Sequence, residues 1–262
     1  MIIPCLNEAQ RLPLLLADLQ RWHGPIECIV VDGGSHDRSA DVVRLSGAQW
    51  MQAPQRGRGC QLAHGAQQAQ GTWLLFLHSD SRLGTDWADA LVPLIHDPST
   101  HHAAWYFDLK LTPSRPSLRI LEAAVAMRSR WLQRPYGDQG LLLHRDLYTR
   151  CGGYAHLPLM EDLDLVQKLA PLARLRPIGQ ALLSDGRRWH GMGVLERSWR
   201  NARLRQRWRQ GVSAQQLAAD YYGQSREGRF NWHTKNHNAG HWAQAPNPDA
   251  DKRAAHQDQR TG

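Results

Sequence analysis

Short apolar runs alternate with amphipathic segments along the first hundred residues of the chain. Between the apolar runs, leucines recur at helical spacing, as Leu12, Leu15, Leu16 and Leu19 do. The pattern predicts strands over Ile2–Pro4, Ile26–Val31, Ala48–Met51 and Trp73–Leu77, and helices over Ala9–Trp22, Ser39–Ser46, 58–70 and Asp86–Ile95. Strands that alternate with helices predict an α/β fold with a mostly parallel sheet and right-handed crossovers.

The second half of the chain continues this pattern less regularly. It predicts strands over Trp105–Leu111, Leu141–Leu143 and Ala181–Leu183, and helices over Leu118–Arg130, Asp164–Leu172, 197–209 and Gln215–Tyr222. From about residue 225 the sequence is polar without apolar periodicity, which predicts a disordered tail. We therefore expect one domain over residues 1–223, helical over 196–223, and a polar tail over 224–262.

Composition and charge narrow the classes of protein that fit. At 262 residues and 42% hydrophobic content, the chain can bury a sizeable core, and it has no apolar run of 18 residues that would span a membrane. Four scattered cysteines without CxxC spacing argue against a disulfide framework and a zinc site. With no signal-peptide pattern, we expect a cytoplasmic protein, and peripheral contact with the inner face of the membrane stays open.

The formal charge of +8 is largely arginine, concentrated near residues 187–209. No nucleic-acid-binding signature accompanies it, so we expect an acidic substrate or an anionic membrane surface and no nucleic acid. Helix 197–209 interleaves tryptophan and leucine with arginine. This pattern resembles an interfacial amphipathic helix, but a helix that packs its tryptophans on the domain and solvates its arginines is the favoured alternative.

Two predicted strands end at a carboxylate. The strand over Ile26–Val31 is followed by Asp32-Gly33-Gly34-Ser35, and the strand over Trp73–Leu77 is followed by His78-Ser79-Asp80. The carboxyl ends of parallel strands share one sheet edge, where open α/β sheets bind ligands. The pattern predicts a nucleotide-diphosphate site with a metal ion, while an Asp-Gly turn that only caps the next helix is the structural alternative.

Two further segments fit such a site. The first strand leads into Asn7 and Glu8, which are expected to accept hydrogen bonds from a base or ribose, although Asn7 would serve equally as a helix cap. The glycine-rich basic loop 55–61 opens a helix, and guanidinium groups together with a helix N-terminus favour phosphate. A solvated turn is the alternative for that loop.

In their order and spacing these motifs resemble the nucleotide-sugar half of a family 2 glycosyltransferase with a GT-A fold. Tyr136–Gly140, Gly152-Gly153-Tyr154, Met160–Leu165 and Arg187-Arg188-Trp189-His190 resemble the subgroup known as arsenosugar-biosynthesis or radical-SAM/selenodomain-associated glycosyltransferases. The resemblance covers residues 1 to about 223. It implies a GT-A (nucleotide-diphospho-sugar transferase) fold, with a mostly parallel central sheet flanked by helices and a C-terminal helical extension.

The resemblance also implies an enzyme that moves a sugar from a UDP- or GDP-sugar to an acceptor hydroxyl, on a small-molecule or lipid-linked acceptor, with inversion. It implies Asp162 as the catalytic base, with Glu161 tuning that base or orienting the acceptor. The alternative is that these acidic residues only start a helix, where they suit its dipole. Expected acceptor contacts are Tyr136, Gly137, Asp138 and Gln139. Expected donor contacts are Pro4, Leu6, Asn7, Glu8, Asp32, Gly33, Ser35, Arg58, Gln61, His78, Ser79, Asp80, Arg187 and Arg188.

A divalent cation, Mn²⁺ or Mg²⁺, is the cofactor that the resemblance implies. His78-Ser79-Asp80 departs from the family's usual Asp-x-Asp, so Asp80 is the expected metal carboxylate and His190 the second expected ligand. His78 is either a further ligand or a packing residue. The alternative functions are a sugar-nucleotide nucleotidyltransferase, for which the expected basic glycine loop after the first strand is missing, and a non-catalytic basic protein that binds membrane surfaces.

Overall fold

The computed structural model describes residues 1–185 and 194–223. Arg187, Arg188, His190 and the predicted tail over 224–262 lie outside the described residues. The elements in chain order are β1 (Ile2–Cys5), α1 (Leu12–Leu19), β2 (Ile29–Asp32), α2 (Ser39–Ser46), β3 (Gln49–Gln52), α3 (Arg58–Gln68), β4 (Trp73–Phe76), β5 (Arg82–Leu83), α4 (Trp87–His96), β6 (Ala104–Thr112), α5 (Pro116–Leu132), β7 (Leu141–His144), α6 (Arg145–Arg150), α7 (Glu161–Leu169), β8 (Leu175–Asp185), α8 (Val194–Arg209) and α9 (Ala214–Gly223).

The described strands form one eight-stranded sheet in the order β3-β2-β1-β4-β7-β6-β8-β5. The pairs β1–β2, β2–β3, β1–β4 and β6–β8 are parallel, whereas β4–β7, β6–β7 and β5–β8 are antiparallel. The pairs β1–β2 and β2–β3 arise from βαβ units, as the alternating sequence pattern predicts, and the crossover through α3 brings β4 back beside β1. This mixed sheet confirms the predicted α/β fold and makes β1, β2 and β4 neighbours.

The core lies on both faces of the sheet. Successive strand residues point to opposite faces, so Ile2 belongs to one apolar cluster and Ile3 to the other. The first cluster includes residues of α3 and α7, and the second includes the leucines of α1 together with Trp87 of α4. Helices thus cover the strands from both sides, and the polar groups of the loops collect at the strand ends.

The structure corrects several predicted boundaries. The strand predicted over Ala181–Leu183 runs from Leu175 to Asp185, and its pairing with β6 contains a register shift between Tyr106 and Asp108. Pro177 and Gly179 lie inside it, and these residues normally indicate a loop. Helix α7 begins at Glu161 rather than at Asp164, α1 is shorter than predicted, and β5 and α6 were not predicted.

Helices α8 and α9 lie largely in a second compact unit, which begins at Trp199, and the first unit covers residues 1–198. In the second unit the guanidinium of Arg207 is 2.6 Å from the carboxylate of Asp220, while Leu204 and Leu217 are buried. Trp199 is exposed. The domain boundary predicted at residue 223 stays a prediction. No helix among the described residues is long and apolar enough to cross a membrane.

Candidate active site

The loop after β2 is organised by the Asp32 carboxylate. Asp32 is buried, and its oxygens accept hydrogen bonds from the N–H groups of Gly34 (3.0 Å) and Ser35 (2.9 Å) and from the Ser35 hydroxyl (2.6 Å). Gly34 has a φ of +95°, which favours glycine at that position. The Asp-Gly turn that the sequence allows is therefore formed, and the predicted contacts of Asp32, Gly33 and Ser35 with a donor stay a prediction.

Asn7 joins the loops that follow β1 and β2. Its N–H donates to the Ser35 hydroxyl (2.9 Å) and its side-chain oxygen accepts from the N–H of His36 (2.8 Å). Asn7 adopts a left-handed backbone conformation, with φ of 56°, and Arg11 occupies the position before α1. The helix-cap alternative for Asn7 is therefore wrong. Glu8 lies one residue on, with its carboxylate 2.9 Å from the guanidinium of Arg11.

The loop after β4 begins beside β1. The N–H of Leu77 donates to the carbonyl of Ile2 (3.1 Å), so His78, Ser79 and Asp80 follow directly from the point where the two strands meet. Ser79 is buried, whereas His78 and Asp80 are half-buried. The strand order places β4 next to β1, with Phe76 at the end of β4 level with Ile2 at the start of β1. The shared site of Asp32 and Asp80 therefore stays a prediction.

Asp162 lies in the first turn of α7 and binds two main-chain N–H groups. Its Oδ2 accepts from Gly137 (2.9 Å) and its Oδ1 accepts from Leu163 (2.8 Å). The residue before the helix, Met160, has a left-handed φ of 68°, and such strained non-glycine positions cluster at functional sites. The carboxylate that the resemblance implies as base is therefore held by backbone donors from two segments.

A short 3₁₀ turn over Gly137–Gln139 lies between the β4 end and the start of α7. A Cβ added to Gly137 would lie 3.0 Å from Nε2 of His78 and 3.5 Å from Oδ2 of Asp162. The two predicted site residues thus approach each other across this turn. They share a recess whose lining is Leu62, Phe76, Leu77, His78, Gly137, Gly140, Leu141, Tyr154, Glu161 and Asp162.

Glu161 forms a buried ion pair with Arg58, the first residue of α3. Only 1% of the Glu161 surface is exposed, and its second oxygen has no hydrogen-bond partner. Burial raises the pKa of Glu161, Arg58 opposes that rise, and Asp162 adds to it. The predicted phosphate contact of Arg58 stays a prediction, and its pairing with Glu161 was missed because no local pattern links residues 103 positions apart.

The Gly137–Gln139 turn is braced from α5. Gln139 is fully buried, and its side-chain oxygen accepts from the hydroxyl of Ser129 (2.8 Å) and the guanidinium of Arg128 (3.2 Å). That guanidinium also stacks over the Tyr136 ring, 3.9 Å from its centre. These contacts show a supporting role for Gln139 that the sequence did not reveal, and its predicted acceptor contact stays a prediction.

Asp138 is half-buried, but one of its carboxylate oxygens is fully buried and has no hydrogen-bond partner. Burial raises the pKa of this carboxyl, Arg128 opposes the rise, and Asp162 adds to it. A protonated carboxyl is a hydrogen-bond donor as well as an acceptor. Burial and the neighbouring Asp162 both act toward that protonated form of Asp138.

Gln61 also has a structural contact that the sequence did not reveal. It is buried in α3, and its amide nitrogen donates to the carbonyl oxygens of Cys5 (2.8 Å) and Val31 (2.7 Å). It thereby binds the ends of β1 and β2 together, where Pro4 is buried and Leu6 is half-buried. The donor contacts predicted for these residues are untested.

The described residues bring only part of the predicted metal site together. Among residues 1–185 and 194–223, no group of three or more His, Cys, Asp or Glu side chains is arranged to hold a metal ion. Asp80 is the predicted ligand within that part of the chain, His78 is the residue left open as a further ligand, and His190 lies outside it. Two protein ligands fit a cation that takes its remaining ligands from a bound diphosphate.

Comparison with known proteins gives one family model and several partial matches to curated relatives. The family model described as "Glycosyl transferase family 2" matches residues 1–156. A 4,4'-diaponeurosporenoate glycosyltransferase of Staphylococcus haemolyticus is 48% identical over 48 residues, which are 18% of this chain and 13% of that protein. A PGL/p-HBAD biosynthesis glycosyltransferase of Mycobacterium bovis is 35% identical over 89 residues, 31% of this chain and 35% of the relative. The chain therefore covers well under half of the length of these relatives.

Solved structures extend the likeness in fold. One is the mannosyltransferase PcManGT from Pyrobaculum calidifontis, in complex with GDP-Man and Mn²⁺. The alignment covers 98% of this chain and 79% of the PcManGT chain, with a TM-score of 0.58 and 18% identity. Another is S. aureus TarS 1–349, in complex with UDP-GlcNAc. The alignment covers 70% of this chain and 57% of the TarS chain, with a TM-score of 0.54 and 19% identity. These likenesses establish the fold.

Proposed function

The chain belongs to glycosyl transferase family 2 and has the GT-A fold, and from that premise we propose that it transfers a sugar from a nucleotide-diphosphate donor to an acceptor hydroxyl. One observation carries the proposal. The Asp162 carboxylate, held by two backbone N–H groups, borders the same recess as His78 at the end of β4. A proton acceptor therefore lies beside the sheet edge at which open α/β sheets bind ligands.

On the donor side, we propose that the base and ribose bind at the loops after β1 and β2, near Asn7, Glu8 and Asp32. The bond that the Asn7 N–H donates to Ser35 and the bond that the Asn7 side-chain oxygen accepts from His36 fix these loops to each other before any ligand binds. Such preorganisation lowers the ordering cost of binding. The diphosphate then extends toward Asp80, one strand further along the sheet. GDP-Man in PcManGT and UDP-GlcNAc in TarS are the donor chemistries that support this assignment.

On the acceptor side, we propose that Asp162 is the catalytic base. The acceptor oxygen attacks the anomeric carbon, the bond from that carbon to the diphosphate oxygen breaks, and the leaving diphosphate keeps the bonding electrons. The acceptor proton passes to a carboxylate oxygen of Asp162. Attack from the face opposite the leaving group inverts the anomeric centre.

Glu161 and Asp138 support that base without replacing it in this proposal. The ion pair with Arg58 fixes the start of α7, because it joins α7 to the N-terminus of α3. Asp138 lies in the turn whose Gly137 N–H binds Asp162, and its raised pKa favours a protonated side chain that donates a hydrogen bond to the acceptor. The acceptor itself, small or lipid-linked, is not specified by these contacts.

The residues present fit a divalent cation shared with the donor. Asp80 would hold it through a carboxylate oxygen, and His78 supplies a nitrogen donor that Mn²⁺ accepts more readily than Mg²⁺ does. When bound, the cation neutralises the charge of the diphosphate leaving group. His190 stays a predicted ligand outside the described residues.

The proposed function is tested by donor turnover. The full-length protein is incubated with a panel of UDP- and GDP-sugars, and release of free UDP or GDP is measured with Mn²⁺, Mg²⁺ or EDTA present. Release from at least one donor, lost in Asp162→Asn and kept in Asp146→Asn, supports the proposal. Asp146 is a matched control because its carboxylate is 81% exposed. Equal release from the wild type and Asp162→Asn would refute the assignment.

A further inference from the structure

The outer side of α5 carries a stripe of apolar side chains that face away from the domain. Ile120 is 74% exposed, Met127 52% and Trp131 78%. Positions seven and four residues apart lie on one face of a helix, and the exposed Ala123 and Ala124 lie between them. We call these five residues the outer stripe of α5. Ile120 and Trp131 are separated by about 16 Å along the helix axis.

The outer stripe is not the face by which α5 joins the core. Leu118, Val125 and Ser129 are buried on the opposite side, where Leu118 and Val125 pack with residues of β6. The helix therefore has two apolar faces, one of them exposed. Single exposed hydrophobic residues such as Leu45 on α2 are normal, whereas a contiguous stripe marks an interaction surface.

The charges around the outer stripe indicate the kind of partner. Residues 115–134 contain five arginines and one acidic residue, Glu122. Glu122 is buried and lies 3.2 Å from Lys110 and 3.6 Å from Arg119. Helical spacing places Arg119 and Arg130 along one border of the stripe and Arg128 along the other. An apolar strip with a cationic border, and a tryptophan within it, complements anionic lipid headgroups above an acyl layer.

The helix that carries the outer stripe also braces the candidate acceptor turn. Arg128 and Ser129 both bond the side chain of Gln139, and the adjoining Gly137 N–H binds Asp162. Trp131 is therefore close in sequence to the turn that holds the proposed base. A surface docked through α5 would lie near the acceptor side of the site.

We propose that the outer stripe of α5 docks the protein on an anionic phospholipid bilayer. The stripe enters the headgroup region, and the excess of arginine over acidic residues around it attracts the anionic headgroups. Arg119, Arg128 and Arg130 keep their contacts with Glu122, Gln139 and Asp108. Binding to the bilayer depends only on the outer stripe of α5 and its surroundings. A second claim, that an acceptor held in the membrane reaches Asp162, also rests on the proposed function. The vesicle test uses no sugar donor, so a protein that fails to bind vesicles does not contradict the transferase proposal. A protein that fails to turn over any donor likewise does not contradict the docking proposal.

Docking is tested with the full-length protein and vesicles of phosphatidylcholine, with or without phosphatidylglycerol. The variant Ile120→Ser/Met127→Ser/Trp131→Ser removes the large side chains of the stripe. The matched control Leu14→Ser/Leu45→Ser/Val92→Ser removes three exposed apolar side chains from α1, α2 and α4. We expect wild type and control to partition onto anionic vesicles equally, and the stripe variant to partition at least ~10-fold more weakly with an unchanged melting temperature. Equal partitioning of both variants overturns the proposal.

A local probe separates α5 from the basic helix α8. The variant Met127→Cys is labelled with an environment-sensitive dye. Wild type, in which Cys5, Cys60 and Cys151 are buried and Cys28 is half-buried, gives the background that is subtracted. Anionic vesicles should shift the emission to shorter wavelength, and spin-labelled lipid should quench it. A dye that does not respond while the protein binds vesicles places the contact elsewhere and overturns the proposal. The proposal is also overturned if the wild type is a dimer in solution and the stripe variant is a monomer, because the stripe then binds a second copy of the chain.

Discussion

The two backbone hydrogen bonds to Asp162 define what this residue is able to do. The N–H donors of Gly137 and Leu163 fix the position of both carboxylate oxygens. The neighbouring Glu161 differs, since it is buried and bound to Arg58. Of the two adjacent acids, Asp162 is the less buried, and its role as the base stays a proposal.

We expect Asp162→Asn to lower the transfer rate by ~10²–10⁴-fold, because the amide keeps the shape of the side chain and cannot take the acceptor proton. Nucleotide affinity should change little, since the proposed partner of Asp162 is the acceptor. Steady-state kinetics and calorimetric binding of UDP or GDP measure the two effects. Near-normal transfer in this variant, with an inactive Asp138→Asn, would assign the base to Asp138 instead.

The buried acids Glu161 and Asp138 predict a pH dependence of stability. Burial raises the pKa of both carboxyls above their ordinary values, which are 4.5 for Glu and 3.8 for Asp. At a pH between the ordinary pKa and the raised pKa, the folded state therefore binds more protons than the unfolded state. The free energy of unfolding should therefore fall as pH rises through that window. Urea unfolding at a series of pH values measures this fall.

The variant Glu161→Gln/Asp138→Asn should remove this fall in the free energy of unfolding and leave unchanged the loss of stability at more acidic pH. That acidic loss comes from Asp18 and Asp37, whose pKa values are lowered although burial acts in the opposite direction. For Asp18 the lowering comes from hydrogen bonds with Arg82 and Leu83, and for Asp37 from hydrogen bonds with Ser39 and Ala9. Their contribution is lost as pH falls below about 3.8. An identical slope above that range in wild type and variant would contradict the prediction.

At the scale of elements, α3 is the helix on which both halves of the site depend. Its first residue, Arg58, pairs with α7, and Gln61 joins the ends of β1 and β2. Gly59, between them, lies so close to the segment 155–157 that an added Cβ would be 2.4 Å from the carbonyl oxygen of Ala155. This close approach needs a residue without a side chain.

We expect Gly59→Ala to destabilise the protein by ~1–3 kcal/mol, because overpacking against a backbone carbonyl outweighs the better helix propensity of alanine. Gly84→Ala is the control, since nothing lies within 4 Å of its added Cβ. Urea unfolding of both variants measures the difference. Equal free energies of unfolding would mean that the segment 155–157 moves without cost.

Sequence patterns predicted most elements because their cause is local. The apolar runs of β1, β2 and β4 and the leucines of α1 report burial directly. β8 was underestimated because Pro177 and Gly179 indicate a loop, and only its pairing with β6 makes it a long strand. The same reasoning explains the missed contacts of Arg58 and Gln61, which depend on tertiary approach.

For the whole molecule, nucleotide binding should be coupled to stability through the metal. A ligand that binds only the folded state stabilises it by about 2.7 kcal/mol at 100 times its dissociation constant. We expect UDP or GDP to raise the melting temperature more with Mn²⁺ than with EDTA, and Asp80→Ala to abolish that difference. Thermal unfolding measures both, with Asp146→Asn as the control. Equal stabilisation with and without metal would contradict the assignment of Asp80.

The parallel pairing of β6 with β8 has a consequence for how the protein is made. The nine residues of β6 are synthesised more than sixty positions before β8 is complete, and until then one edge of this largely apolar strand has no partner. Open strand edges of this kind promote aggregation. Newly made chains that stop before Leu175 should therefore precipitate or bind chaperones, whereas chains that extend past Asp185 should be released. The pairing of β6 with β8 is thus completed only after β1, β2 and β4 have been synthesised.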